Sequence, residues 1–212
     1  MTASAGPALK HLHAEFGDQV TFLTLYVREA HPGEHYPQAG TMEEKLAHAR
    51  DYQARDGIPW TVAVDDPEGS LHRMLDPRPN AAYLMGTDGN VAFRSLWSND
   101  TQVLRDALAA FVSGRPLPVR ENELLLVPMI KGMGTMEQTL ELAGDVAKQD
   151  VLRQLPPMYA MARIASLFDP LPPLGRGIAA TAVTMAGMAA LVIGARRLLG
   201  HSDDRRYISR SW

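Results

Sequence analysis

The 212 residues contain no cysteine. Disulfides, thiolate zinc sites and thiol nucleophiles are therefore excluded together. An excess of basic charge is missing as well: 21 Lys and Arg stand against 24 Asp and Glu, for a net charge of −3. No field for nucleic acid follows, and nucleic acid is not an expected partner. Residues 1–17 lack an apolar core behind a basic start, so no secretory signal is expected there. At this length a core of ordinary size fits, with room for something smaller beside it.

What is present is organised around residues 19–37. Val20, Phe22, Leu23, Leu25, Tyr26 and Val27 form a nearly continuous apolar run, which predicts a strand covered on both faces. Arg28, Glu29, His31, Glu34 and His35 follow directly, on backbone that Pro32, Gly33 and Pro37 keep irregular. Ligands of open α/β sheets bind outside the carboxyl ends of such strands.

Ahead of this stretch, Ala8, Leu9, Leu12 and Phe16 recur at helical spacing, with Gly17 placed for a left-handed cap. Behind it, Thr41 and Glu44 make a capping-box pattern for a helix to about residue 55, with Met42, Leu46, Ala49 and Tyr52 on its inner face and Gly57 as its stop. A strand over 59–65, a short helix over 67–75 and a hairpin turning at Asp88-Gly89 come next. A helix capped by Asn99 or Asp100 carries Val103, Leu104, Ala107, Leu108 and Phe111, and Pro116 and Pro118 end the domain.

Helix, strand, helix, strand, short helix, hairpin, helix is an α/β order, that of a thioredoxin-like fold without its first strand. The segments YVREAHPGEHYP (26–37), DGIPWTVAVDD (56–66), RPNAAYLMGTDGNVAFR (78–94) and LWSND (96–100) resemble the bacterial relatives of iodothyronine deiodinases, close to the redoxins. The resemblance covers residues 1–114, and the Glu-Ala-His element at 29–31 is its most specific part. It implies two-electron chemistry at a thiol or selenol heading the first helix, a residue expected just before Met1. His31 then corresponds to the active-site histidine, which holds a thiolate or donates a proton, and Glu29 orients it. Pro79 takes the place of a cis-proline against the active site, and Trp60 could wall a substrate pocket. Substrates of this kind are an iodinated aromatic, a peroxide or a disulfide, with a thiol reductant as partner. No cofactor is called for. His31 and His35 also read as HxxxH, but Pro32 and Gly33 break the helical geometry a metal would need, so no metal site is expected.

The remaining chain divides by composition into a helical, proline-interrupted extension at 117–175, a transmembrane helix at 176–198 and a basic tail at 199–212. The extension predicts one helix over 135–155 and a shorter one over 158–168. Residues 177–195 carry no charge and would measure about 28 Å as a helix, near the thickness of a bilayer core. Ala182, Ala186 and Ala190 beside Gly187 offer a small-residue face for a homodimer. Arg196, Arg197, Arg205, Arg206 and Arg210 favour a cytoplasmic C terminus; the absence of an export signal and the supply of reductants favour a cytoplasmic redox domain instead, and the latter is the expectation. The other function class is a non-catalytic thioredoxin-like module that holds a partner at the membrane.

Overall fold

A computed structural model of the chain describes residues 2–29, 32–75, 80–123 and 125–207. The chain is mixed α/β with small sheets and a long helix at its C-terminal end.

Helix α1 (Thr2–Phe16) leads through a short turn into strand β1 (Leu23–Tyr26). Gly17 does not take up the expected left-handed conformation; its amide continues the helical pattern onto the His13 carbonyl at 2.8 Å. Helix α2 (Met42–Asp56) does have its predicted ends. Thr41 and Glu44 form the reciprocal capping box, and Gly57 closes the helix at φ 57°. Its inner face differs from the expectation. Met42 is exposed, whereas Lys45 and Ala49 are buried and His48 is half-buried.

Strand β2 (Thr61–Val64) pairs with β1 in parallel, Leu23 opposite Thr61 and Tyr26 opposite Val64. After the short helix α3 (Ser70–Leu75), strands β3 (Ala82–Met85) and β4 (Val91–Ser95) form the antiparallel hairpin, with Gly89 at φ 79° and the Asp88 carboxylate bonded to the Asn90 amide at 3.0 Å. Helix α4 (Thr101–Val112) starts after Asp100, but neither Asn99 nor Asp100 caps it with a side chain. The Asp100 carboxylate instead accepts from Asn122 at 2.9 Å, and Asn99 donates to the Pro128 carbonyl at 3.0 Å.

The strands form two sheets rather than one: β1 with β2, and β3 with β4 and a short β5 (Glu121–Asn122). β5 pairs parallel to β4 and lies beyond Pro116 and Pro118, so the expected domain end is crossed by a strand. Helix α1 touches both sheets. His13 meets the rings of Phe22 and Trp60 at 5.2 Å, while Leu12 and Phe16 join Leu84, Phe93, Leu104 and Leu108 in the main core. Leu23 in β1 is 61% exposed, so that strand is not covered on both faces.

The extension forms α5 (Leu126–Met133), α6 (Met136–Ala143), α7 (Asp145–Gln154) and α8 (Pro156–Ser166). The single helix expected over 135–155 is broken at Gly144, whose φ of 105° and ψ of −177° belong to glycine alone. Leu140, Ala143, Ala147 and Val151 make a second, smaller core. Helix α9 (Pro173–Tyr207) packs its first turns on α5 and α8 and includes one candidate membrane-crossing span, Pro173–Arg197, with mean hydropathy 2.0.

Candidate functional site

β1 ends at Tyr26, whose carbonyl accepts the Asp65 amide at 3.1 Å, and the chain then turns away from the sheet. Glu29 is delivered into a closed polar cluster at this carboxyl end, its side chain only 7% exposed. One carboxylate oxygen accepts from the Tyr26 hydroxyl at 3.0 Å and from His48 Nδ1 at 3.1 Å; the other accepts from Gln38 Nε2 at 2.7 Å and the Ala39 amide at 3.5 Å. Burial acts to raise the Glu29 pKa, but the hydrogen bonds from His48, Tyr26 and Ala39 outweigh it and hold the carboxyl below its ordinary range. Burial, and then the Glu29 charge, push the Tyr26 phenol well above its ordinary value, so it remains a donor. With Glu29 ionised, Nδ1 of His48 carries the hydrogen, and Nε2 is the nitrogen left for proton transfer.

His48 comes from α2, one turn after Lys45. Lys45 is fully buried and donates its ammonium hydrogens to the Asp66 carbonyl past the end of β2. Asp65 beside it accepts the Leu71 and His72 amides at 3.1 and 2.9 Å and so fixes the start of α3. On its outer side His48 lines an open cavity of about 500 Å3, together with His35, Tyr36, Asp51, Glu141 and Leu142. Tyr36 donates to Asp51, and Arg55 lies over the Tyr36 ring at 5.6 Å. A carboxylate-oriented imidazole bordering an open cavity is an acid–base arrangement.

Further along, the loop is tied to the extension. Glu34 accepts the Asp145 amide and, at 2.7 Å, the Val146 amide, closing the start of α7; these amides hold its carboxyl below the usual range. His35 Nδ1 lies 3.2 Å from the Leu142 carbonyl, and a methyl group on Gly33 would stand 2.1 Å from the Ala143 carbonyl. Glu34 and His35 are therefore the seam with the extension.

Of the residues picked from sequence, Glu29 lies in the cluster, and His31 and Pro79 lie outside the described residues. Trp60 precedes β2, at the opposite end of the paired strands from Glu29, and its Nε1 donates to Thr24 at 2.9 Å. It does not share a site with Glu29. His48 and Lys45 were missed by sequence reasoning. Their signal is positional: 45, 48, 49 and 52 form one helical face, and a search for apolar residues passes over two of them.

Glu29→Gln keeps the shape and removes the charge. Loss of about 1–3 kcal/mol is expected, typical of a buried hydrogen-bonded group left mismatched. The pH dependence has a definite sign. A carboxyl whose folded pKa is depressed stabilises the fold above its unfolded value of about 4.3, and that contribution is lost as pH falls through the folded pKa. Thermal melts from pH 7 to pH 3 should show the difference between parent and Glu29→Gln shrinking below about pH 4.3; a difference independent of pH would mean that the Glu29 charge is not stabilised in the fold.

No protein-family model, no curated protein and no solved structure matches this chain.

Proposed function

We propose that this chain is a membrane-tethered, thioredoxin-like oxidoreductase of the deiodinase-like redoxin type, in which Glu29 and His48 handle the proton beside a reacting thiol or selenol. The observation that carries the reading is the buried Glu29–His48 pair at the carboxyl end of β1. Because the 212 residues hold no cysteine, the sulfur or selenium comes from outside them. Two further features support it. α1 leads directly into β1 through residues 17–22, the order a thioredoxin-like layout expects of the helix that carries the nucleophile at its head. The sheet is also interrupted between β1 and β3, where a thioredoxin-like layout carries a further strand. The proposed substrates are an iodinated aromatic, a peroxide or a disulfide, with a thiol reductant as partner; the domain is placed on the cytoplasmic side, where reductants are abundant.

A second reading is a non-catalytic module that binds a partner at the same end. It is favoured by Glu34, which spends its carboxylate on the first amides of α7 rather than on an open site.

Mass spectrometry of the N-terminal peptide of the protein from its native cell separates the two. The oxidoreductase reading expects an extension carrying cysteine or selenocysteine ahead of Met1; a native chain starting at Met1 overturns it and leaves the binding module. In an active protein, His48→Ala should lower turnover by about 100-fold or more, as for loss of a general acid or base. If His31→Ala has that effect and His48→Ala does not, the proton is handled by His31.

A further inference from the structure

The apolar surface of this molecule does not stop at α9. Leu125, Leu126, Val127 and Met129 at the start of α5 are all exposed, Leu126 to 71%. These side chains lie within five residues of one another, and α9 carries further large exposed apolar groups, among them Met185 and Leu191, the latter 74% exposed.

The contact between α5 and α9 fixes where that patch lies. A methyl group on Gly134 would stand 2.0 Å from the Pro173 carbonyl oxygen, and one on Gly177 would stand 2.0 Å from the Ile130 carbonyl oxygen. The two backbones therefore touch, and the pairings 134 with 173 and 130 with 177 run antiparallel. One helical turn further along α5, at about four residues, the first turn of α5 comes level with Thr181. Beyond that level α9 is covered by almost nothing, with Ala182, Val183 and Met185 all exposed. Thr181 and Thr184 return their hydroxyls to the Gly177 and Ala180 carbonyls at 2.8 Å, so this stretch presents no unpaired hydroxyl to its surroundings.

The polar groups of α5 point elsewhere. The Pro128 carbonyl is taken by Asn99, and Lys131 donates to the Asn99 carbonyl at 2.8 Å, so one side of α5 faces the α/β domain, a second faces α9, and the apolar first turn faces neither. Glu121 and Glu123 lie just before that turn and limit how deep it can go.

Resting on the reading of α9 as a membrane span, we infer that the first turn of α5 is a second, shallow membrane contact, with Leu126 and Met129 at the boundary between headgroups and acyl chains. The occupant of the patch is lipid. A single span lets a domain swivel about its axis; a second contact clamped to the span by touching backbones removes that freedom and holds the β4–β5 edge next to the bilayer.

The absence of cysteine makes the test direct. Leu126→Cys, Leu191→Cys and Ala54→Cys, each in the full chain, are labelled with a polarity-sensitive fluorophore and reconstituted in vesicles of phosphatidylcholine and phosphatidylglycerol. The expected result is a blue-shifted emission at 126 and 191, loss of quenching by aqueous iodide relative to 54, and quenching at 126 by lipids labelled near the headgroup. Iodide quenching at 126 equal to that at 54, with 191 shielded, overturns the α5 contact and leaves the span intact. Shielding of 126 from both iodide and lipid quenchers means that protein, such as a second copy, covers the patch, and also overturns it. Iodide quenching at 191 removes the span and the α5 contact together.

Discussion

Lys45→Ala is expected to destabilise the full chain by about 2–5 kcal/mol, the range for truncating a large buried side chain. The side chain is fully buried, and its ammonium group serves the Asp66 carbonyl just past β2. Truncation empties the volume of three side-chain carbons and a nitrogen and leaves a buried carbonyl without its donor, and the two losses act at one place. Lys45→Met separates them. It restores most of the volume without the donor, so it should recover more than half of the loss if packing dominates and little if the hydrogen bond does. Thermal and denaturant unfolding in detergent micelles reads the order of the three proteins. If Lys45→Ala melts with the parent, Lys45 does not hold α2 to the segment after β2.

Gly177→Leu is expected to cost about 1–3 kcal/mol or somewhat more, the range for overpacking a closed contact. Here the obstruction is backbone, the Ile130 carbonyl at 2.0 Å from the added carbon, and no rotamer change can relieve it. The helices α5 and α9 have to move apart. Since α5 is tied to the α/β domain through Asn99, the separation should also expose the chain around residues 114–125 to protease. Gly187→Leu is the control. Nothing lies within 4 Å of a carbon added there, and its effect should stay within about 0.5 kcal/mol, as at an open surface position. Equal behaviour of the two variants would mean that α5 and α9 are not packed backbone to backbone.

Much of the fold is legible along the chain because its signals are local. The Thr41–Glu44 capping box, the Gly57 stop and the Asp88-Gly89 turn each depend on a few consecutive residues, and each is found where the pattern places it. The inner face of α2 was misread for a physical reason: burial there is set by what the far end can offer, and Glu29 and the Asp66 carbonyl make room for His48 and Lys45. Gly144 shows the same limit from another direction. One glycine in a helical pattern costs little, so the pattern runs on through it; the break follows from Glu34, whose carboxylate stands where a side chain at 144 would be. Of the candidate site, Glu29 could be found because it follows the organising strand directly. Its partner could not, because the pairing joins residues 19 positions apart through tertiary contact alone.

The bond from Glu34 to the head of α7 also sets an order in time. Its amide partners lie 111 and 112 residues later, so the loop after β1 has to wait for them during synthesis. At 5–20 residues per second that interval is roughly 6–22 s. Throughout it the α/β half is on the ribosome with Glu34 and His35 bonded only to water. Closure of this early loop by α6 and α7 thus follows synthesis of the whole α/β half, and a chain stalled before residue 145 would carry Glu29 and His48 with the cavity wall from Glu141 and Leu142 unfastened.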